Sequence, residues 1–180
     1  CDCDCVLQNA IFKLSGEANS IATKIDQDMN SNNCLVTSRV FDSGKHRISF
    51  KLMQGEASYM SIFCGIVRDG AAWNVDHAVS SSTTGWFMSS GSGSLYGNGK
   101  YGQNGAGKIN SGQILTIEAD LDKGTLRFWV AGKPHGPGYT SGVTGRLRFA
   151  TSVHLKSIAV QIVPTPELQS MDAMGASKKR

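Results

Sequence analysis

The sequence predicts an all-β domain built as a sandwich of two antiparallel sheets. Three observations predict it. Helical periodicity is almost absent, short runs alternate apolar and polar residues, and turn residues close each run. About a dozen short strands spaced in this way fit a chain of 180 residues, the length of one domain.

The elements follow in order. Residues 10–14 are a short apolar segment stopped by Ser15-Gly16, and residues 21–25 alternate Ile21, Thr23 and Ile25 before the polar stretch 26–33. Residues 34–38 are β-prone. After the Ser43-Gly44 turn, residues 47–52 place Ile48, Phe50 and Leu52 on one face, and Gln54-Gly55 turns into a strand over 59–67. His46 is placed on the outer face of its strand. The clearest hairpin joins 114–121 to 125–130 through Asp122-Lys123-Gly124, because aspartate followed closely by glycine suits the positive backbone angles of short hairpin loops. Ala131-Gly132 closes the second strand. Strands over 147–153 and 158–163 complete the sandwich, and Pro164 and Pro166 end the pairing. The expected organisation is an N-terminal stub over 1–9, the sandwich over 10–163 and a C-terminal tail over 164–180.

Composition narrows the function. A 40 % apolar content is enough for a core, and the longest near-continuous apolar run, 60–67, is one strand long and far short of a bilayer crossing. The net charge is +4, and Lys178, Lys179 and Arg180 carry three of the four, leaving +1 on the rest of the chain. A nucleic-acid binder shows a basic stripe on its folded face, so neither nucleic acid nor membrane is the expected partner. The chain starts at Cys1 without a charged-then-apolar leader and is expected to be a piece of a longer protein. Of five cysteines, Cys64 sits in an apolar run and reads as a buried, reduced thiol. Cys1, Cys3 and Cys5 read as a disordered stub or as the last edge of an upstream metal-binding module; three thiolates spread along an extended chain do not close a tetrahedral site unaided.

Several patterns imitate catalytic motifs. Residues 91–107 hold seven glycines, with Gly97, Gly99 and Gly102 in a G-x-G-x-x-G array and Gly102 to Lys108 in a G-x-x-x-x-G-K array. A phosphate cradle needs a buried strand before it and a helix after it, and Ile109 stands where a magnesium-binding hydroxyl belongs. The segment 138–142 mimics a nucleophile elbow with Thr140 in the serine position but lacks the strand-to-helix setting. His46, His77, His135 and His154 stand in no metal-ligand spacing, and Cys64 lacks the exposure a nucleophilic thiol needs. No catalytic set, metal site or cofactor is expected. Trp86 and Trp129 read as core residues. Trp73, beside Asn74, Asp76 and His77 in the loop 68–84, reads as an anchor for a partner or as a hydrophobic plug under that loop.

Gly85-Trp86-Phe87, then Tyr96-Gly97-Asn98-Gly99-Lys100, then the stretch from Ala119 to Lys133 with its Leu121-Asp122 turn and Gly124-Thr125-Leu126-Arg127-Phe128 strand together resemble the SPRY domain family. Ser43-Gly44-Lys45-His46 and the strand after it resemble the family's "ser-gly-lys-his" strand, and the similarity spans roughly residues 10–163. The tip Ala131-Gly132 departs from the family's Asn-Gly, and Arg47-Ile48-Ser49 replaces an aromatic-rich version. The resemblance implies a curved two-sheet sandwich that is non-catalytic and binds a protein or short peptide through loops at one end. It implies a monomeric recognition or scaffolding part of a larger intracellular, cytoplasmic protein such as a ubiquitin ligase. By position, the family's binding surface falls on Arg39, Tyr59, Trp73, Asn74, His77, His154 and Leu155. A rival expectation is a carbohydrate-binding, lectin-like sandwich, with Trp129, on the face opposite Phe128, as the stacking aromatic. A hydrolase built on Cys64 or Thr140 is the third class.

Overall fold

The computed structural model describes residues 12–25, 33–53, 62–71, 83–153 and 156–170. These form thirteen strands and one short 3-10 turn, Glu17–Asn19, with no α-helix among the described residues. The strands are β1 (Phe12–Ser15), β2 (Ile21–Lys24), β3 (Asn33–Val36), β4 (Lys45–Met53), β5 (Ile62–Arg68), β6 (Gly85–Ser89) and β7 (Leu95–Gly97). They continue as β8 (Lys100–Gln103), β9 (Ile114–Asp120), β10 (Thr125–Val130), β11 (Lys133–Pro134), β12 (Leu147–Val153) and β13 (Ala159–Val163).

Two antiparallel sheets result. One has seven strands in the order β1-β2-β13-β4-β9-β10-β11, and the other has six in the order β3-β12-β5-β6-β7-β8. The core lies between them. Ile48, Phe50 and Leu52 of β4, Leu115 and Ile117 of β9, and Leu126 and Phe128 of β10 meet Ile62, Cys64 and Ile66 of β5, Trp86 and Met88 of β6, and Phe149 of β12, all of them buried. The period-two alternation of the sequence thus decides which residues leave water, and that burial, at roughly 25 cal/mol per Å², is the main force holding the layers together.

Differences from the expected elements have local causes. β4 begins at Lys45, two residues early, because its ladder with β9 starts at the pair Lys45–Asp120. His46 is two residues from Ile48 and therefore shares its core-facing side. Its ring stacks on the buried Phe41 at 4.6 Å with an interplanar angle of 24°, which corrects the outward placement. β5 is described from Ile62, and the expected start at residues 59–61 lies outside the described residues. The glycine-rich segment contains a hairpin, β7–β8, turned by Asn98 and Gly99 at φ 45° and 81°. These are the two positive angles that an Asn-Gly hairpin turn requires.

The last described residues do not leave the sandwich after Pro164. Ser49 and Thr165 share a hydroxyl hydrogen bond of 3.0 Å, the Gln169 amide donates to the Gly132 carbonyl at 2.8 Å, and the Trp129 indole N–H donates to the Gln169 carbonyl at 2.9 Å. Residues 165–169 therefore lie across the outer face of the seven-stranded sheet.

Candidate functional site: an arginine-lined rim at one end of the sandwich

Antiparallel pairing brings three connections to one end of the six-stranded sheet. Arg68, the last residue of β5, is opposite Leu147, the first of β12, and β3 finishes beside them with Val36 opposite Ala150. The connection after β3 is fastened to β12: Thr37 donates its amide to the Phe149 carbonyl at 2.9 Å, and Phe41 exchanges backbone hydrogen bonds with Leu147 at 3.0 and 2.8 Å. The base of the long connection after β5 is closed by the Arg68 amide on the Thr84 carbonyl at 2.8 Å and by the Asp69 amide on the Arg146 carbonyl at 2.8 Å.

Arg148 locks these pieces together. Its Nε donates to Asp69 Oδ1 at 2.8 Å, and its Nη1 donates to the carbonyls of Thr37 at 3.0 Å and Ser38 at 2.7 Å. Arg146 adds a second guanidinium to Asp69, with Nη2 3.3 Å from Oδ2. The Arg148 hydrogen bond, joined by the charges of both arginines, holds the Asp69 carboxyl below the usual range despite partial desolvation. Arg68 lies over the Trp86 ring, 5.5 Å from its centroid, so its guanidinium is steered by a buried aromatic at the mouth of the core.

Arg39, the one predicted site residue within the described residues, sits on this rim and is exposed, between Ser38, held by Arg148, and Phe41, paired with Leu147. Trp73, Asn74 and His77 lie outside the described residues; the connection that carries them leaves and re-enters at Arg68 and Thr84, at the same end. Tyr59, His154 and Leu155 also lie outside the described residues. The strand ends that frame them, Ile62 and Val153, are paired with each other at the opposite end of β5 and β12. The structure thus joins Arg39 to Arg68, Asp69, Arg146 and Arg148. None of those four was expected from the sequence, although the alternation Arg146-Leu147-Arg148-Phe149 signals two arginines on one strand face.

Comparison with solved structures decides the fold. The SPRY domain of human HERC1 superposes with a TM-score of 0.70 at 17 % identity, covering 88 % of this chain and 97 % of that one. The PSpry domain of TRIM65 superposes with a TM-score of 0.65 at 14 % identity, covering 87 % and 88 % of the two chains. The chain has the SPRY fold. Stonustoxin contains a similar unit, with a TM-score of 0.67 at 15 % identity over 89 % of this chain and 27 % of that longer one. No family model and no curated protein matches the sequence.

Within this SPRY fold the stretch with the most specific resemblance, residues 119–133, makes the central β9–β10 hairpin and the tight turn to β11. Of the other chemical candidates, Cys64 and Trp129 are buried, whereas residues 102–108 are mostly exposed and Thr140 is exposed. Cys64 is completely buried between the sheets, and burial pushes its thiol well above the range of a usable nucleophile. Gly102 to Lys108 leads into irregular backbone and not into a helix, so no set of helix-end amides faces the loop. Trp129 is only 4 % exposed and its indole N–H is bonded to the Gln169 carbonyl, which removes it as a stacking platform for a sugar. Tyr139, inside the mimic of a nucleophile elbow, has its hydroxyl buried among the backbones of Phe87 and Tyr96.

Proposed function

We propose that this chain is a non-catalytic interaction module that grips a partner protein or short peptide with the loops at its arginine-lined end. One observation carries the proposal most: an exposed residue, Arg39, and the start of the long 69–83 connection are braced by a half-buried network centred on Arg148 and Asp69, while the Arg68 amide on the Thr84 carbonyl closes the far end of that connection. A rigid frame holding a long connection is the arrangement by which sandwiches present recognition residues at low ordering cost. Trp73, Asn74 and His77, carried on that connection, are the proposed aromatic and polar anchors. Tyr59, His154 and Leu155 adjoin Ile62 and Val153 in the chain, at the opposite end of β5 and β12, and are not part of this proposed grip.

The SPRY fold supports a recognition or scaffolding role inside a larger intracellular protein, with a ubiquitin ligase as one such parent. Affinity capture from the source cells tests the proposal. The wild-type chain is compared with a Trp73→Ala, His77→Ala double variant matched in melting temperature. A discrete set of proteins captured by the wild type and lost in the variant supports the loop surface. Equal capture by both places the binding face elsewhere on the sandwich.

A further inference from the structure

Of the acidic groups near the arginine-lined end, Asp69 and Asp120 are ion-paired within the protein, and Asp122 and Asp42 accept hydrogen bonds from it. Asp69 is held by Arg148 and Arg146, Asp122 accepts the Gly44 amide at 3.0 Å, Asp120 lies within 3.8 Å of both Lys45 and Lys123, and Asp42 accepts the Ser43 hydroxyl at 3.2 Å. The basic groups are not matched. Arg39 and Arg68 are exposed and have no ion-pair partner among the described residues, and Arg146, with its side chain 68 % exposed, makes only the 3.3 Å contact to Asp69.

The backbone that carries these three guanidiniums is braced. Arg39 is one residue from the Ser38 carbonyl that Arg148 binds. Arg68 lies over Trp86, where a Cβ on Gly145 would come 3.3 Å from its Nη1, and Arg146 is fixed by its backbone bond to Asp69. All three belong to the strand ends and connection around the single Phe41–Leu147 bridge and the Arg68–Leu147 pair.

We infer that this rim selects a partner segment rich in aspartate and glutamate, whose carboxylates pair with Arg39, Arg68 and Arg146. Guanidiniums are suited to the task because their planar forks match carboxylates and because they retain charge at every physiological pH. The inference rests on the interaction module proposed above and names the chemistry of its partner. Selectivity comes from charge placed on a pre-formed frame: an acidic segment gains ion pairs, whereas a basic one meets two guanidiniums without an ion pair among the described residues and a third, Arg146, that shares Asp69 with Arg148.

Fluorescence anisotropy of a short labelled peptide in which Glu alternates with Ser tests this on the full chain. Its comparators are the same peptide with Gln for Glu and a DNA duplex of equal charge. The Glu peptide binds about tenfold tighter than the Gln peptide, the scale of a few exposed ion pairs, and added salt weakens it. An Arg39→Gln, Arg68→Gln, Arg146→Gln variant, checked for unchanged melting temperature, loses that preference. If the variant unfolds, Arg39→Gln alone, at an exposed position, weakens the Glu peptide and leaves the Gln peptide unchanged. Equal binding of the Glu and Gln peptides, a preference that survives the substitutions, or DNA bound as tightly as the Glu peptide overturns the inference. Cellular capture lost in the Trp73, His77 variant but retained in the arginine variant overturns the acidic segment alone and leaves the interaction module standing.

Discussion

The hydroxyl of Tyr139 donates a hydrogen bond to the backbone carbonyl of Tyr96 at 2.5 Å. The same oxygen lies 3.3 Å from the Phe87 amide, from which it accepts. Because Tyr139 is itself bridged to Leu126 of the seven-stranded sheet, while Phe87 and Tyr96 belong to β6 and β7 of the other, one phenol ties the two layers together. Burial pushes its pKa up, so it remains a neutral donor throughout the physiological range.

Replacing Tyr139 with Phe keeps the ring and removes the tie. The Tyr96 carbonyl and Phe87 amide then lose a buried partner, and the expected loss of stability is about 1–3 kcal/mol. Urea denaturation checks this: the midpoint falls and the slope is unchanged. An unchanged midpoint would mean that the phenol contributes nothing to holding the layers together.

The β10–β11 turn is built on a residue poorly suited to it. Ala131 stands at φ 49° and Gly132 at φ 77°, and a left-handed alanine costs roughly 1 kcal/mol. Ala131→Gly or Ala131→Asn is expected to stabilise the fold by up to about that amount. Gly132→Ala acts in the opposite direction, since its Cβ would meet the Glu167 carbonyl oxygen at 2.6 Å as well as straining the backbone. Thermal unfolding of the substitutions reads both signs; an Ala131→Gly variant that melts lower would contradict the turn assignment.

Asp69 makes the rim sensitive to acid. Its folded pKa lies below the ordinary aspartate value because Arg148 and Arg146 favour the carboxylate. A depressed folded pKa contributes stability that is fully present above the unfolded value of about 3.9 and is lost as pH falls through the folded value. Asp69→Asn is therefore expected to lower stability at neutral pH and to reduce the loss on acidification below about pH 4. Urea midpoints across that pH range, wild type against variant, check the difference; parallel pH profiles would show that Asp69 does not carry it.

Much of the layered core was legible because burial follows a period of two. Ile48, Phe50 and Leu52, and likewise Leu126 and Phe128, declare their shared faces in the sequence, and all are buried. The β7–β8 hairpin was hidden in the glycine-rich stretch. Its Asn98-Gly99 turn is a strong hairpin signal, masked by strands of only three and four residues with little alternation. His46 illustrates another difficulty. Its parity with Ile48 places it inward, but the partner that makes this tolerable, Phe41, comes from the preceding connection.

The rim was less legible still. Arg148 and Asp69 are separated by 79 positions and Arg148 and Thr37 by 111, so their network exists only once β3, β5 and β12 are paired. Nothing local in the sequence distinguishes Arg148, which is consumed by structural hydrogen bonds, from Arg146, whose side chain remains mostly in water. The covering of Trp129 by residues 165–169 is likewise a long-range event that follows the final strand.

Hydrogen–deuterium exchange of the chain, free and bound to a protein recovered by affinity capture, tests the central claim most directly. The account predicts slowed exchange on binding in residues 37–42, 69–84 and 145–148, with the outer face of the seven-stranded sheet unchanged. Slowed exchange confined to that outer face, or to the opposite end of the sandwich around residues 104–113, would contradict recognition through the arginine-lined end.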